Sequence, residues 1–79
     1  MMWRYTFKLE TEDGKKGATI AFQCALDFSA TPQPSSDEPE IAEHLELWNS
    51  LGKKIPQVDL VFGLTLTNVM VRSRTQEKV

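Results

Sequence analysis

The sequence predicts an α+β domain of order β-β-α-β, with a three-stranded, mainly antiparallel sheet and one amphipathic helix packed on one face. Three observations support this fold class. Apolar residues occupy every second position in two segments near the start, which is the period of a strand with one buried face. Residues 38–51 instead space their apolar side chains as a helix does, and strand-like alternation returns over residues 57–73.

The first two strands are predicted as a hairpin over residues 2–10 and 18–29. Their connection is polar and contains Gly14 and Gly17, which supply the positive φ that a tight connection needs. The apolar positions of both strands fall on one side of the hairpin. They are Trp3, Tyr5, Phe7, Leu9, Ala18, Ile20, Phe22, Cys24, Leu26 and Phe28. Because the helix needs an apolar surface to cover, we assign these aromatic rings to the core.

The helix is predicted over residues 38–51. Asp37 can cap its first turn, Glu40 lies three residues later as in a capping box, and Gly52 supplies a stop. At 100° per residue one face is apolar and the opposite face is acidic. The apolar face comprises Ile41, His44, Leu45, Trp48 and Leu51.

The last segment changes its alternation, from even positions up to Leu66 to odd positions at Val69 and Val71. A bulge near Gly63 or Asn68 would shift the pleat within one long strand, and a turn at Thr67-Asn68 would instead make a hairpin. We favour one bulged strand over residues 57–73, followed by a flexible tail at 75–79. The preferred strand order is 2-1-3, with the first strand in the centre.

Size and composition predict a single domain over residues 1–79. Charged residues are 25% of the chain and the net charge is −2, which disfavours sequence-independent nucleic-acid binding. The single cysteine, Cys24, cannot form an intramolecular disulfide and falls on the apolar register. With no membrane span and no leader pattern in the sequence, we expect a cytoplasmic protein.

The residues that could carry catalysis are few. Cys24 and His44 would form a nucleophilic pair only if the helix lay over the second strand, and a thiol buried in apolar surroundings is inert. The chain shows no spacing of metal ligands. We therefore expect no enzyme, no catalytic residue, no cofactor and no metal site.

Surplus apolar surface points instead to a protein partner. Glu40, Glu43 and Leu47 lie on or beside the acidic helix face, and the last segment is apolar on both registers. The second register consists of Val61, Val69 and Val71. The prediction is a protein-binding module that acts through these residues, including as a homodimer formed through the last strand. An accessory subunit, an adaptor or an inhibitor of a larger machine, such as phages encode, would fit.

Two alternatives stay open. A basic outward sheet face made of Arg4, Lys8, Arg72 and Arg74 would suit a nucleic-acid-binding module, although the aromatic residues that such modules use for base stacking are assigned to the core here. A small thiol protein that uses Cys24 is the other alternative.

Overall fold

A computed structural model describes residues 1–59, 63 and 65–79, and it confirms the α+β class. The described residues form four strands rather than three, in one antiparallel sheet of order β2-β1-β4-β3, with one helix. The elements are β1 (Trp3–Thr11), β2 (Gly17–Cys24), α1 (Pro39–Trp48), β3 (Lys54–Asp59) and β4 (Thr65–Lys78).

The predicted N-terminal hairpin is present, and its register runs from Trp3 opposite Cys24 to Glu10 opposite Gly17. The second strand ends at Cys24 rather than at residue 29. Beyond that point the chain leaves the sheet and folds back, so that the Phe28 ring stacks on Tyr5 with centroids 4.1 Å apart. Phe28 continues the apolar alternation because it enters the same core from a loop.

The C-terminal segment is a hairpin, so the prediction of one long strand is wrong. β3 pairs antiparallel with β4 from Lys54 opposite Met70 to Asp59 opposite Thr65. β3 ends at Asp59 and β4 begins at Thr65, so Thr67-Asn68 lies inside β4 and is not the turn. β3 was not predicted as a separate strand because it contains Pro56, and proline is unusual inside a strand.

The change of alternation coincides with Asn68, as one of the predicted explanations required. Asn68 has a φ of 51° and, by the register on both sides, lies opposite Pro56. Left-handed backbone is most accessible to Gly and Asn, so this position redirects the strand at small cost. As a result Leu66 and Val69, on either side of it, both pack on the core.

The remainder of β4 pairs with β1, which places β1 between β2 and β4 as the preferred order required. The ladder shifts by one residue between Lys8 and Leu9, where Arg72 is the extra residue of a bulge. The pairing continues to Lys78 opposite Trp3, so the predicted flexible tail is part of the sheet for all but its last residue.

Helix α1 packs on the sheet, but it is rotated about its own axis relative to the orientation that its apolar residues predicted. Its buried residues are His44 and Leu47, whereas Leu51 lies beyond the helix and is 44% exposed. Glu38 is the N-cap residue and makes no side-chain cap, so the predicted Asp37 cap is absent. A helix that covers a twisted sheet settles where large side chains fit between strands, and here Leu47 fills that position.

Candidate protein-binding groove between α1 and β3

The predicted partner residues of the last strand are mostly in the core. Val69 and Val71 are 4% and 0% exposed, and Val61 lies outside the described residues. Leu47, predicted on the flank of the acidic face, is also buried at 1% exposure. The change of direction at Asn68 explains the first result, because apolar residues from both registers then face one core rather than two opposite faces.

The acidic side of α1 borders a groove that ends on β3. Glu40 and Glu46 are exposed, and Glu43 is partly buried. The groove has a volume of about 270 Å³ and runs between the helix and the sheet edge. Its walls include Glu43, Glu46 and Ser50 from the helix side and Ile55, Gln57 and Asp59 from β3. Of the predicted partner residues, Glu43 and Leu47 line it.

The electrostatics of the groove differ between its two walls. The helix wall carries Glu43 and Glu46, and the other wall carries Lys53, Lys54 and Asp59. The Lys54 Nζ atom lies 3.3 Å from a Glu12 carboxylate oxygen. Because that cation is already paired, it offsets the helix acids less than its position along the groove suggests.

The β3 wall is the outer edge of the sheet. Among the described residues no strand pairs with the outer side of β3, so its side chains border the groove there. The Asp59 carboxylate accepts hydrogen bonds from Gln57 Nε2 at 2.9 Å and from Thr65 Oγ1 at 3.0 Å. These bonds hold the polar side chains at the end of the groove in place.

The four basic residues of the nucleic-acid alternative do not form one surface. Arg4 lies 3.5 Å from Glu77, and the Arg72 Nε atom lies 3.4 Å from Glu10. Arg74 pairs opposite Phe7 and is therefore on the core side of the sheet. Its guanidinium stacks 3.9 Å from the Trp48 ring centroid and donates to the Trp48 carbonyl. Lys8 is exposed on the outward face.

Cys24 and His44 each have separate structural partners. The Cys24 thiol lies 3.7 Å from the Leu26 carbonyl, and burial raises its pKa. The His44 Nδ1 atom donates to the Glu40 carbonyl at 2.7 Å, and its ring stacks on Phe22 at 3.9 Å. Both residues therefore hold the helix and loop against the sheet, as expected of core groups.

The sequence reasoning missed a network that anchors the loop after β2. The Tyr5 hydroxyl donates to the Leu26 carbonyl at 2.7 Å and accepts from the Phe28 amide at 2.8 Å. Gln76 Nε2 donates to the Tyr5 hydroxyl and to Asp27. The Ser29 hydroxyl and this amide lower the pKa of the Asp27 carboxyl. A buried tyrosine needs such partners, and this need was the available signal.

Over the described ranges, the structure groups no three or more His, Cys, Asp or Glu side chains as a metal site would require. Within the same ranges, no helix has the length and apolar content to cross a bilayer. Comparisons with protein-family models, with curated proteins and with solved structures found no match to this chain.

Proposed function

We propose that this chain is a non-enzymatic protein–protein interaction module that binds a partner protein in the α1–β3 groove. The observation that carries the proposal is the meeting of an acidic helix wall with the outermost described strand of the sheet in one groove. Concave sites of this kind, with an apolar floor and polar rims, are where proteins receive segments of other chains.

Charge and shape narrow the partner to a basic segment with an apolar side chain. Lysine or arginine on that segment would face the exposed Glu46 on the helix wall. Its apolar side chain would rest against Ile55 and Pro56, which border the groove above the buried Leu47. Charge on the rim mainly steers the encounter, and the apolar contact supplies affinity.

The thiol chemistry supports a binding role and a cytoplasmic location. Cys24 is a free, buried cysteine whose pKa is raised by burial, so it is a poor nucleophile. A single reduced thiol suits a reducing compartment. An accessory subunit, an adaptor or an inhibitor of a larger complex all remain forms of this proposal.

The test begins with a random peptide library displayed on phage and selected against the full chain. We expect the enriched peptides to carry basic and apolar residues and to shift the amide signals of residues 43–59. Glu46→Lys should weaken the selected peptides about tenfold, since it reverses a charge on the helix wall. The matched control is Asp37→Lys, which reverses an exposed acid outside the groove lining.

Several results would contradict the proposal. They are a library that yields no binder, binders whose shifts map away from the groove, or equal losses in both charge variants. Salt-dependent binding of a single-stranded oligothymidine, lost in Lys8→Glu, would favour the nucleic-acid alternative instead. Lys8 is the residue for this arm because it is exposed and no ion pair of the described residues involves it.

A further inference from the structure

β2 forms the outer edge of the sheet on the side opposite to β3. It pairs with β1 on one side, and no other strand of the described residues pairs with its free side. Its sequence, Gly17–Cys24, contains neither a charged residue nor a proline. Proteins normally protect exposed edges with charges, prolines, bulges or covering segments. This eight-residue edge has neither of the first two forms of protection.

The contrast with β3 makes the difference between the two edges specific. β3 carries Lys54, Pro56 and Asp59 within six residues, and Pro56 has no amide hydrogen to donate. Such an edge resists pairing with another strand. Of these two edge strands, β2 is therefore the one suited to backbone pairing, whereas β3 is suited to contact through side chains.

The faces of β2 match those of a second β2 related by a two-fold axis. In a continuous sheet, core-facing side chains of one copy must lie opposite core-facing side chains of the other. An antiparallel register with Ala21 opposite its own copy meets this requirement. That register puts Thr19 opposite Gln23 on the outward face. On the core side it puts Ile20 opposite Phe22, which is partly exposed at the edge. Neutral polar and aromatic–aliphatic pairs of this type stabilise a sheet, and no like charges meet.

We propose that the β2 strands of two copies of this chain pair with each other, forming a two-fold symmetric dimer with a continuous eight-stranded sheet. The two four-stranded sheets join at Ala21, and each α1–β3 groove stays open at the far edges. Such an interface is isologous and closes after two copies, because each β2 edge is consumed by the other. The dimer is independent of the proposed function, since it uses the opposite edge.

The first measurement is the molar mass by sedimentation equilibrium across a concentration series. We expect the mass to rise from the 9.0 kDa of one chain to twice that value. The key variant is Thr19→Glu with Gln23→Glu. Within one chain these glutamates would lie opposite Lys8 and Arg4, so the fold is supported. Across the two-fold axis they would face one another twice, which should weaken the dimer about tenfold.

The paired variant Thr19→Glu with Gln23→Lys tests the register, in an Arg4→Gln background so that the new lysine does not face a like charge within its own chain. It places opposite charges across the axis, so the dimer should recover or exceed the wild-type affinity. The matched control is Ser73→Glu with Thr75→Glu on β4, which adds the same charge on the far side of β1 from the β2 edge. This control should leave the dissociation constant within about twofold of wild type.

A disulfide gives a second measurement of the same contact. Directly opposite residues have Cα atoms about 4.5–5.5 Å apart, which is within the reach of a disulfide. Ala21→Cys in a Cys24→Ala background should therefore form a covalent dimer in a glutathione buffer, and Thr75→Cys in that background should not. A wild-type chain that stays at 9.0 kDa, or a dimer indifferent to the two glutamates, would overturn the proposal.

Discussion

Removing one oxygen from Tyr5 tests the network that anchors the loop after β2. Tyr5→Phe keeps the stack on Phe28 but deletes the hydroxyl, which donates to the Leu26 carbonyl and accepts from the Phe28 amide. Tyr5 and Phe28 are 0% and 1% exposed, so water reaches the Phe28 amide only if the loop opens. Gln76 retains Asp27 as an acceptor and loses only its second bond.

The expected cost follows from the two backbone groups left without their hydroxyl partner. An unsatisfied buried polar group costs about 1–3 kcal/mol, so Tyr5→Phe should lose about 2–3 kcal/mol of unfolding free energy. With a urea dependence near 1 kcal/mol/M for a small domain, the midpoint should fall by about 2–3 M. Thr75→Val, which alters an exposed hydroxyl, should change stability by less than about 0.5 kcal/mol.

The pH dependence of the same pair gives an independent check. Burial raises the pKa of Tyr5, so the folded protein favours the protonated phenol. The stabilisation is therefore complete below the ordinary tyrosine value of 10.0 and declines as the pH rises toward the raised pKa. Tyr5→Phe should lack this component of alkaline destabilisation. A stability loss below about 0.5 kcal/mol, or an alkaline profile unchanged from wild type, would refute the reasoning.

Three further predictions concern other positions. Arg74→Lys should lower the free energy of unfolding, measured in urea, by about 1 kcal/mol. The reason is that a lysine ammonium cannot both stack on the Trp48 ring and donate to the Trp48 carbonyl as the guanidinium does. A loss no larger than that caused by replacing an exposed arginine with lysine would contradict this contact. Asn68→Val should cost about 1–2 kcal/mol, because a branched side chain is strained at a φ of 51°, and Asn68→Gly should be neutral or better. The Cys24 thiol should react with an aromatic disulfide reagent only as fast as the protein opens, and immediate labelling of the native protein would contradict its burial.

The local sequence pattern was sufficient to predict the elements whose apolar residues follow a single period. The β1–β2 hairpin and α1 follow directly from alternation and helical spacing, because each buries a single face. The β3–β4 hairpin was hidden for a physical reason. Pro56 makes β3 look unlike a strand in the sequence, and the left-handed backbone of Asn68 shifts the apolar alternation of β4. The whole segment therefore resembles one irregular strand. Only the pairing of Lys54 with Met70 distinguishes the two readings.

The candidate groove was predictable in part. The acidic helix positions Glu40, Glu43 and Glu46 follow from helical geometry, since they lie away from the centre of the apolar face. Their neighbours across the groove could not be predicted, because β3 was not recognised as a separate strand. The burial of Leu47 could not be predicted either, since the rotation of a helix about its axis is decided by packing against the sheet.

The sequence by itself determined the class of the fold, the central position of β1 and the scarcity of reactive side chains. These depend on period, composition and chain direction, which are local quantities. Tertiary structure alone decided which side chains remain on the surface. The core includes Val69, Val71 and Leu47, and Arg74 stacks on Trp48. β2 and β3 are the first and last strands in the order of the sheet. Burial and edge position depend on contacts between distant segments, and a one-dimensional pattern does not encode those contacts.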